Sequence, residues 1–386
     1  MKKMSILCKS TECTGCTACM AICPVDAIEM KYNEQGFLYP SVDEMKCIYC
    51  GACNLVVQKL DHHMEEETHK EPPIHYYAAR LCDETERMRS QSGGLFYALA
   101  SMIIQSGGLV YGCAYLENFH VGHTVAATME ELQKMRGSKY VQSDMRNCYR
   151  QIEQNLKAGK EVLFSGTPCQ CAGIEAYLEQ KRVSKDKFYS CDIICHGVPS
   201  PGIFEQYLKL MEAKYQGKLE RVNLRDKAAA SWHNPIEKLV FDNNTVYQGT
   251  LFGELFYSNL AQRMCCQTCK YTTINRPSDI TIGDCWGIEK IHPELWNDET
   301  GISVALIQTK KGEKLFERAM SYLDVIELPS YTQPQLENPA VVPKQKERFW
   351  RDYQKLSFEC LLKKYTSYGG IRLKIKRKLL RIMNKW

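Results

Sequence analysis

Cys13-Thr-Gly-Cys16-Thr-Ala-Cys19-Met-Ala-Ile-Cys23-Pro24 decides how this chain is read. Three cysteines at three-residue spacing, a fourth four residues later and then proline form the bacterial run C-x2-C-x2-C-x3-C-P, which holds cubane iron–sulfur clusters. A second, broken copy follows at Cys47-Ile-Tyr-Cys50-Gly-Ala-Cys53, with Val57 where a fourth cysteine belongs and Gln58 where the proline belongs. In two-cluster proteins the first three cysteines of a run bind one cubane and the fourth binds the other. That rule gives Cys13, Cys16 and Cys19 to cluster I, and Cys23, Cys47, Cys50 and Cys53 to cluster II. Cluster II is complete and cluster I lacks one thiolate. Three outcomes stay open: Cys8 as a substitute, a three-iron or non-cysteine-ligated species, or no cluster I. Zinc sites use two C-x2-C pairs or Cys/His sets, so the strict repeat ending in Cys-Pro fits a cubane better. Between the runs, residues 28–40 read as a hairpin turning near 33–36. Residues 1–60 are therefore expected to form a small two-cluster, ferredoxin-like domain.

Working outward, 386 residues suffice for two or three domains, and 44% hydrophobic with 25% charged residues is ordinary for a globular protein. No apolar run reaches about 18 residues, so no membrane-spanning helix is expected. The opening Met-Lys-Lys-Met-Ser-Ile-Leu has too short an apolar core for a signal peptide. Twenty cysteines without such a peptide, at metal-type spacing, read as ligands rather than disulfides. The expected location is cytoplasmic. Residues 371–386 carry seven Lys/Arg and no acid, so the formal charge of +5, less seven, leaves −2 for the rest. A nearly neutral body does not suggest nucleic-acid binding. The basic tail after Gly369-Gly370 interleaves apolar residues at helical spacing in its last third. It reads either as a docked helix or as one lying on the inner face of an anionic membrane.

Residues 61–90, charged and containing Pro72-Pro73, read as a linker in which Cys82 is a plain thiol and the histidines are solvated. From 91 to 345 an α/β body is expected. Ser92-Gly93-Gly94 opens an apolar helix from Leu95 to Gln105, and a strand from Leu109 to Tyr115 follows. Glycines at a helix start admit a phosphate, or simply make a turn. Arg136-Gly-Ser-Lys-Tyr140 suits a pyrophosphate or a solvated loop equally. Residues 161–178 read as buried strand, tight loop and helix, with Cys169 at the strand end. The pattern recurs through Cys195-His196-Gly197 to Pro201. Carboxyl ends of strands are where α/β sheets place their sites. Cys265-Cys266-Gln-Thr-Cys269 adds a C-x2-C pair, so Cys169, Cys195, Cys266 and Cys269 make a candidate third cubane, with structural zinc the rival for the pair.

Ser92-Gly-Gly, Arg136-Gly-Ser-Lys-Tyr, Ser165-Gly-Thr-Pro-Cys-Gln, Cys195-His-Gly-Val-Pro-Ser-Pro and Cys266-x2-Cys269 followed by the segment 275–284 resemble the family of coenzyme F420 hydrogenase and dehydrogenase beta subunits. Plant 7-hydroxymethyl chlorophyll a reductase is similar. The resemblance runs from about residue 5 to residue 345. It implies a flavoprotein with FAD beside a cubane and ferredoxin clusters fused ahead of it. It further implies Gly93, Gly94, Arg136, Ser138 and Lys139 near FAD, and Cys169, Cys195, Cys266 and Cys269 as the body cluster. Val57 departs from the pattern, as does Cys285 after Gly-Asp, where the family often has an aromatic. Cys171, Cys191 and Cys265 lie one to four residues from the chosen ligands, so the assignment is open to slippage. His196 beside a proposed ligand suits an acid near the flavin, though a backbone-bonded histidine is the commoner case.

The expected fold is α+β: the small ferredoxin-like domain, a larger α/β flavin and iron–sulfur domain, and a helical basic tail from 346 to 386. The expected function is that of an iron–sulfur flavin-dependent oxidoreductase, whose catalytic residues the sequence does not name. Electrons pass between 4Fe–4S clusters and FAD, two clusters being expected and a third where cluster I finds its ligand. FAD exchanges hydride with a small molecule such as reduced coenzyme F420. Two functions compete with this one. The first is non-catalytic electron transfer that feeds a partner protein, and the second is a zinc-bound scaffold.

Overall fold

A computed structural model of the chain describes residues 8–67, 73–296 and 298–369. It is a mixed structure, 38% helix and 22% strand. The strands are β1 (Ile28–Tyr32), β2 (Leu38–Val42), β3 (His75–Leu81), β4 (Leu109–Tyr115), β5 (Val121–Ala126), β6 (Val162–Gly166) and β7 (Phe188–Ile193). They continue as β8 (Leu219–Asp226), β9 (Ile236–Phe241), β10 (Val246–Gly249), β11 (Ile280–Asp284), β12 (Ser303–Ile307) and β13 (Leu323–Leu328).

The hairpin of β1 and β2 forms where expected. The Asn33 side chain accepts from the backbone N–H groups of Gln35 and Phe37, and Gly36 takes the left-handed φ of 74° that the turn requires. The body is built on an eight-stranded sheet in the order β13-β3-β12-β11-β7-β6-β4-β5. Its middle, β4, β6, β7 and β11, is parallel, and the pairings outside it are antiparallel. β6 carries the unbroken apolar run Val162-Leu163-Phe164, wholly buried, as in a strand covered on both faces. One cover is the helix Leu95–Gln105, which has the expected bounds. Gly94, at φ 86°, starts it, and Ser106 and Gly107 end it. Its Leu95, Leu99 and Ile103 are fully buried, each worth about 1.5–3 kcal/mol by transfer.

Three parts of the organisation differ from the sequence reading. The stretch 61–90 is no connector. The helix Ala52–Glu67 runs into it, β3 lies inside the large sheet between β12 and β13, and the helix Glu84–Arg89 follows. Pairing with strands more than 200 residues away makes β3 a core strand, and no local pattern carries that information. The histidines at 62 and 63 are not described beyond their helical backbone, and His69 lies outside the described residues. Residues 346–369, read as the start of a helical tail, are helices packed into the body. The helices Lys346–Lys355 and Phe358–Tyr365 bury Phe349, Trp350, Leu361 and Leu362 against the helix Pro201–Tyr215 and an antiparallel sheet, β10-β9-β8, that the sequence reading did not separate. The basic stretch 371–386 lies outside the described residues. Among the described residues no helix is long and apolar enough to cross a membrane.

The N-terminal segment is also no separate bead. Ala18, Ile22, Ile28 and Val56 share one core with Tyr149, Ile152, Phe164, Ile174 and Tyr177 of the body. Gly173, inside the helix Pro168–Gln180, makes the approach close enough: a Cβ there would sit 3.1 Å from Cys16 Cβ and 2.4 Å from the Tyr149 hydroxyl. That hydroxyl donates to the Cys16 carbonyl at 2.6 Å.

Candidate functional site

Parallel strands side by side bring their carboxyl ends to one edge. Ser165 pairs with Cys191 and Gly166 with Asp192, so the segments leaving β6 and β7 emerge as neighbours. The first begins a helix at once. Thr167 caps the helix Pro168–Gln180 in a capping box with Gln170, Pro168 occupies the first turn, and Cys169 therefore sits in that turn rather than in a loop. The second runs through Cys195 and Gly197, whose φ of 112° only glycine takes easily, to the helix Pro201–Tyr215. The short helical turn Met264–Thr268 brings in Cys266, with Cys269 at its end.

These pieces close a cavity of about 520 Å³ lined by nine cysteines: Cys8, Cys13, Cys16, Cys19, Cys169, Cys195, Cys265, Cys266 and Cys269. Cys169, Cys195, Cys266 and Cys269 lie close enough together that each raises the cost of ionising another. Burial is the larger cause, and it pushes the Cys195 thiol up to about 12. Buried thiols of this kind give up protons only to a metal centre that replaces them. Val57 lines the same cavity, as the sequence run leads one to expect of the missing fourth position. Cys8 lines the cavity too and hydrogen-bonds to Cys13, the main influence that lowers the Cys13 thiol. Cys171 and Cys191 are fully buried in core clusters and line none of these cavities, and Cys285 packs in a third core cluster. Cys265 lines the large cavity and hydrogen-bonds to Cys266.

A second cavity, about 190 Å³, is lined by Cys23, Cys47, Cys50 and Cys53. Cys50 is exposed, and the rim includes exposed Ile48 and Tyr49. Among the described residues no three His, Cys, Asp or Glu side chains converge on a point that would hold a single metal ion.

A third cavity, about 320 Å³, opens between β4, β6, β7 and β11. Gly94, Arg136, Ser138 and Lys139 line it. Gly93 does not. It lies against the sheet, where a Cβ would come within 2.3 Å of the Ala79 carbonyl, and its N–H donates to Ser303. Lys139 is turned to its own backbone, with Nζ on the carbonyls of Met135 and Arg136 at 3.0 and 2.8 Å, and burial lowers it to about 8. Arg136 stacks on Tyr97 at 4.0 Å, pairs with Glu86 and donates to Ser90, yet its Nε–H is buried with no acceptor. Arg225, held by Asp284 at 2.8 Å, lines the same cavity and its Nε–H also lacks one. His123 bridges the Ser165 carbonyl and Ser143 Oγ, and burial pushes its imidazole down to about 4. His196 lies between Asn259 at 2.9 Å and Gln335 at 3.4 Å. The sequence reading missed Arg225, His123, Ser143 and Gln170. Asp284 closed a quoted motif and was the one available pointer to Arg225.

The two large cavities share a wall of Val141, Ser143, Thr167, Gln170, Cys195, His196, Gly197 and Val198. These residues alone would stand between the occupants of the two cavities along that wall.

Residues 159–331 match the family described as the C terminus of the coenzyme F420 hydrogenase/dehydrogenase beta subunit, and residues 12–56 match the 4Fe–4S dicluster domain. One subunit (F) of the F(420)H(2) dehydrogenase from Methanosarcina mazei is 22% identical over 332 residues, covering 82% of this chain and 85% of that protein. A chain in the solved F420-reducing NiFe hydrogenase complex from Methanosarcina barkeri superposes with a TM-score of 0.46 at 15% identity, over 78% of this chain and 94% of that one. Residues 159–331 thus carry the C-terminal region of coenzyme F420 hydrogenase/dehydrogenase beta subunits, preceded at residues 12–56 by a 4Fe–4S dicluster domain.

Proposed function

We propose that this chain is an iron–sulfur flavoprotein oxidoreductase in which FAD occupies the cavity at the strand ends and three cubanes connect it to the surface. The observation that carries this reading is the shared wall between that cavity and the one lined by nine cysteines. In this assignment Cys169, Cys195, Cys266 and Cys269 hold the body cluster, Cys13, Cys16, Cys19 and Cys8 hold cluster I, and Cys23, Cys47, Cys50 and Cys53 hold cluster II. The donor sets fit: four thiols line the small cavity, and eight of the nine thiols lining the large one make up the other two sets. The flavin cavity fits as well. Two buried guanidinium N–H groups without acceptors, on Arg136 and Arg225, suit a phosphate-bearing ligand, and Gly94 and Gly137 allow close backbone approach.

A bound flavin supplies the exchange between a two-electron hydride partner, such as reduced coenzyme F420, and one-electron clusters. The chain positions, shields and balances charge. Ser143 and Gln170 hold the wall through a 2.8 Å hydrogen bond, and Gln170 is buried. His123, neutral at ordinary pH, adds no charge there. Cys50 and its exposed apolar rim give the cluster path a surface end, where a redox partner protein exchanges electrons.

Anaerobic purification with flavin, iron and sulfide counted per chain tests the reading. About twelve irons and one FAD are expected, four irons for each cubane. Cys8→Ser is expected to remove about one to four irons from cluster I alone, the lower figure leaving a three-iron cluster visible by EPR. Zinc in place of iron would end the proposal, and clusters without flavin would select non-catalytic electron transfer to a partner protein.

A further inference from the structure

Three cations are buried around the nine-cysteine cavity, and they are not alike. Arg276 faces Asp192 at 3.2 Å, so its charge is neutralised within the protein. Arg263 is fully buried, with no carboxylate partner among the described residues. Its guanidinium donates to the carbonyls of Cys13 at 2.7 Å and Leu38 at 2.9 Å, to Gln142 at 3.1 Å and to the Cys13 sulfur at 3.4 Å. The Tyr39 ring lies 3.9 Å beneath it. Lys346 is 4% exposed, donates to the Gln262 carbonyl at 2.7 Å, and feels Cys266 and Cys265 as its charged neighbours. A buried charge without a counter-charge is heavily penalised, and carbonyl dipoles offset only part of that. Two such cations, one against Cys13 and the other near Cys266, call for anions that the protein alone does not supply.

We infer that Arg263 and Lys346 are the built-in counter-charges of the two clusters that line this cavity, and that they set those clusters' reduction potentials, Arg263 chiefly that of cluster I and Lys346 that of the body cluster. This rests on the cluster assignment proposed above. A cubane with four thiolates is net negative in both redox states. When it is reduced it gains one electron, and a cation alongside offsets that charge without a proton being taken up. The cation therefore favours the reduced form and raises the potential, as net charge and hydrogen bonds to sulfur do in iron–sulfur sites generally. Both residues act through the thiolates and are positioning residues, not catalytic ones. The geometry also explains why an arginine is used. Its planar fork reaches two carbonyls, an amide and a sulfur at once, tying Cys13 to β2 and to the body.

The test is an EPR-monitored redox titration of the full chain, with dithionite as reductant, on Arg263→Gln, Arg263→Lys and Lys346→Met, each with iron and sulfide counted. Arg263→Gln should shift the oxidised–reduced equilibrium of cluster I at least tenfold toward oxidised, about 59 mV downward for one electron. Arg263→Lys should recover at least half of that. Lys346→Met should shift the body cluster at least threefold and leave cluster I in place. Fully loaded Arg263→Gln with unmoved potentials would overturn the inference, as would a lysine variant that behaves like the glutamine one, which would make the effect packing rather than charge. Should Arg263→Gln not fold, Lys346→Met decides alone: an unmoved body cluster overturns the inference. Wild-type chain without iron and sulfide in this region would instead defeat the cluster assignment itself.

Discussion

The two cysteine runs of the N-terminal segment share the same C-x2-C-x2-C spacing and have opposite surroundings. Cys13, Cys16 and Cys19 are 8–9% exposed and face the body, in a cavity they share with its thiols. Cys50 is exposed, and Cys47 and Cys53 are only partly covered. Ligand spacing therefore selects the kind of metal centre, and packing selects what the centre can exchange electrons with. The first run is walled in by Tyr149, Gly173 and Arg263, whereas the second opens to solvent through a small rim. Solvent exposure, hydrogen bonds to sulfur and net charge all tune a cluster's potential, so on the assignment proposed above equal ligand sets sit in unequal settings.

The largest expected effect tests that contrast. Cys195→Ser and Cys50→Ser should each remove about four irons, one cubane apiece. Only Cys195→Ser should also lower the thermal midpoint of unfolding strongly, because its site joins β7, the turn at 264–268 and the helix at 168–180. Equal losses of stability would show that the exposed site is as structural as the buried one.

A second contrast is in pH. His123 lies at the wall of the buried region with its imidazole pushed from 6.5 to about 4 by burial. Between those values the unfolded chain takes up a proton that the folded chain does not. The stability is fully present above about pH 6.5 and is lost as pH falls toward 4, a total of about 3 kcal/mol. Glu237 works in the opposite direction, since burial raises it to about 7, but it is common to wild type and variant. Urea unfolding at pH 7 and pH 4 should therefore show wild type losing about 3 kcal/mol more than His123→Gln. Parallel losses would place His123 in contact with water.

Gly173→Ala gives a smaller effect with a sign that is not obvious. In an exposed helix it would stabilise by about 1 kcal/mol. Here the new Cβ would meet the Tyr149 hydroxyl and Cys16, and overpacking of that kind costs about 1–3 kcal/mol. Net destabilisation by about 1 kcal/mol, with a change in the iron–sulfur absorbance, is expected. A higher melting temperature would mean the Cys16 loop yields without cost.

These contrasts also mark what could be read from the chain. The helix at 95–105 and the strand at 109–115 stand at their expected bounds because Gly94 and the Ser106–Gly108 stretch punctuate them locally. The hairpin at 28–42 is local in the same way. β3 was invisible because Pro72-Pro73 and the charged residues before it look like a linker, while its burial depends on β12 and β13. The same holds for the helices at 346–365, whose partners are the helix at 201–215 and β8–β10. At the site, spacing points to the thiols of the two N-terminal runs and of the pair at 266 and 269, and strand-end placement points to Cys169 and Cys195. Neither could tell Cys169 from Cys171, which helix geometry sends in different directions: one lines the cavity, the other the core. Arg263 and Lys346 carried no motif at all, since a buried cation is defined by what surrounds it.

The smallest expected effect on stability tests the outer end of the path. Ile48, 59% exposed, lines the small cavity, and Met45, three residues earlier in the chain, is 96% exposed. Met45→Glu with Ile48→Glu should change unfolding free energy by no more than about 0.5 kcal/mol, because neither side chain is packed. Electron delivery to a small dye should be unchanged, since a dye needs no docking face. Delivery to a protein acceptor, a soluble bacterial two-cluster ferredoxin serving as the probe, should slow, because an apolar rim that excludes water shortens the approach and a pair of carboxylates keeps it hydrated. If dye and protein slow together, the substitutions have acted on cluster II itself and the rim is not a docking face. If neither slows, electrons leave the molecule elsewhere, and the exposure of the second run would no longer explain why the fold keeps it apart from the first.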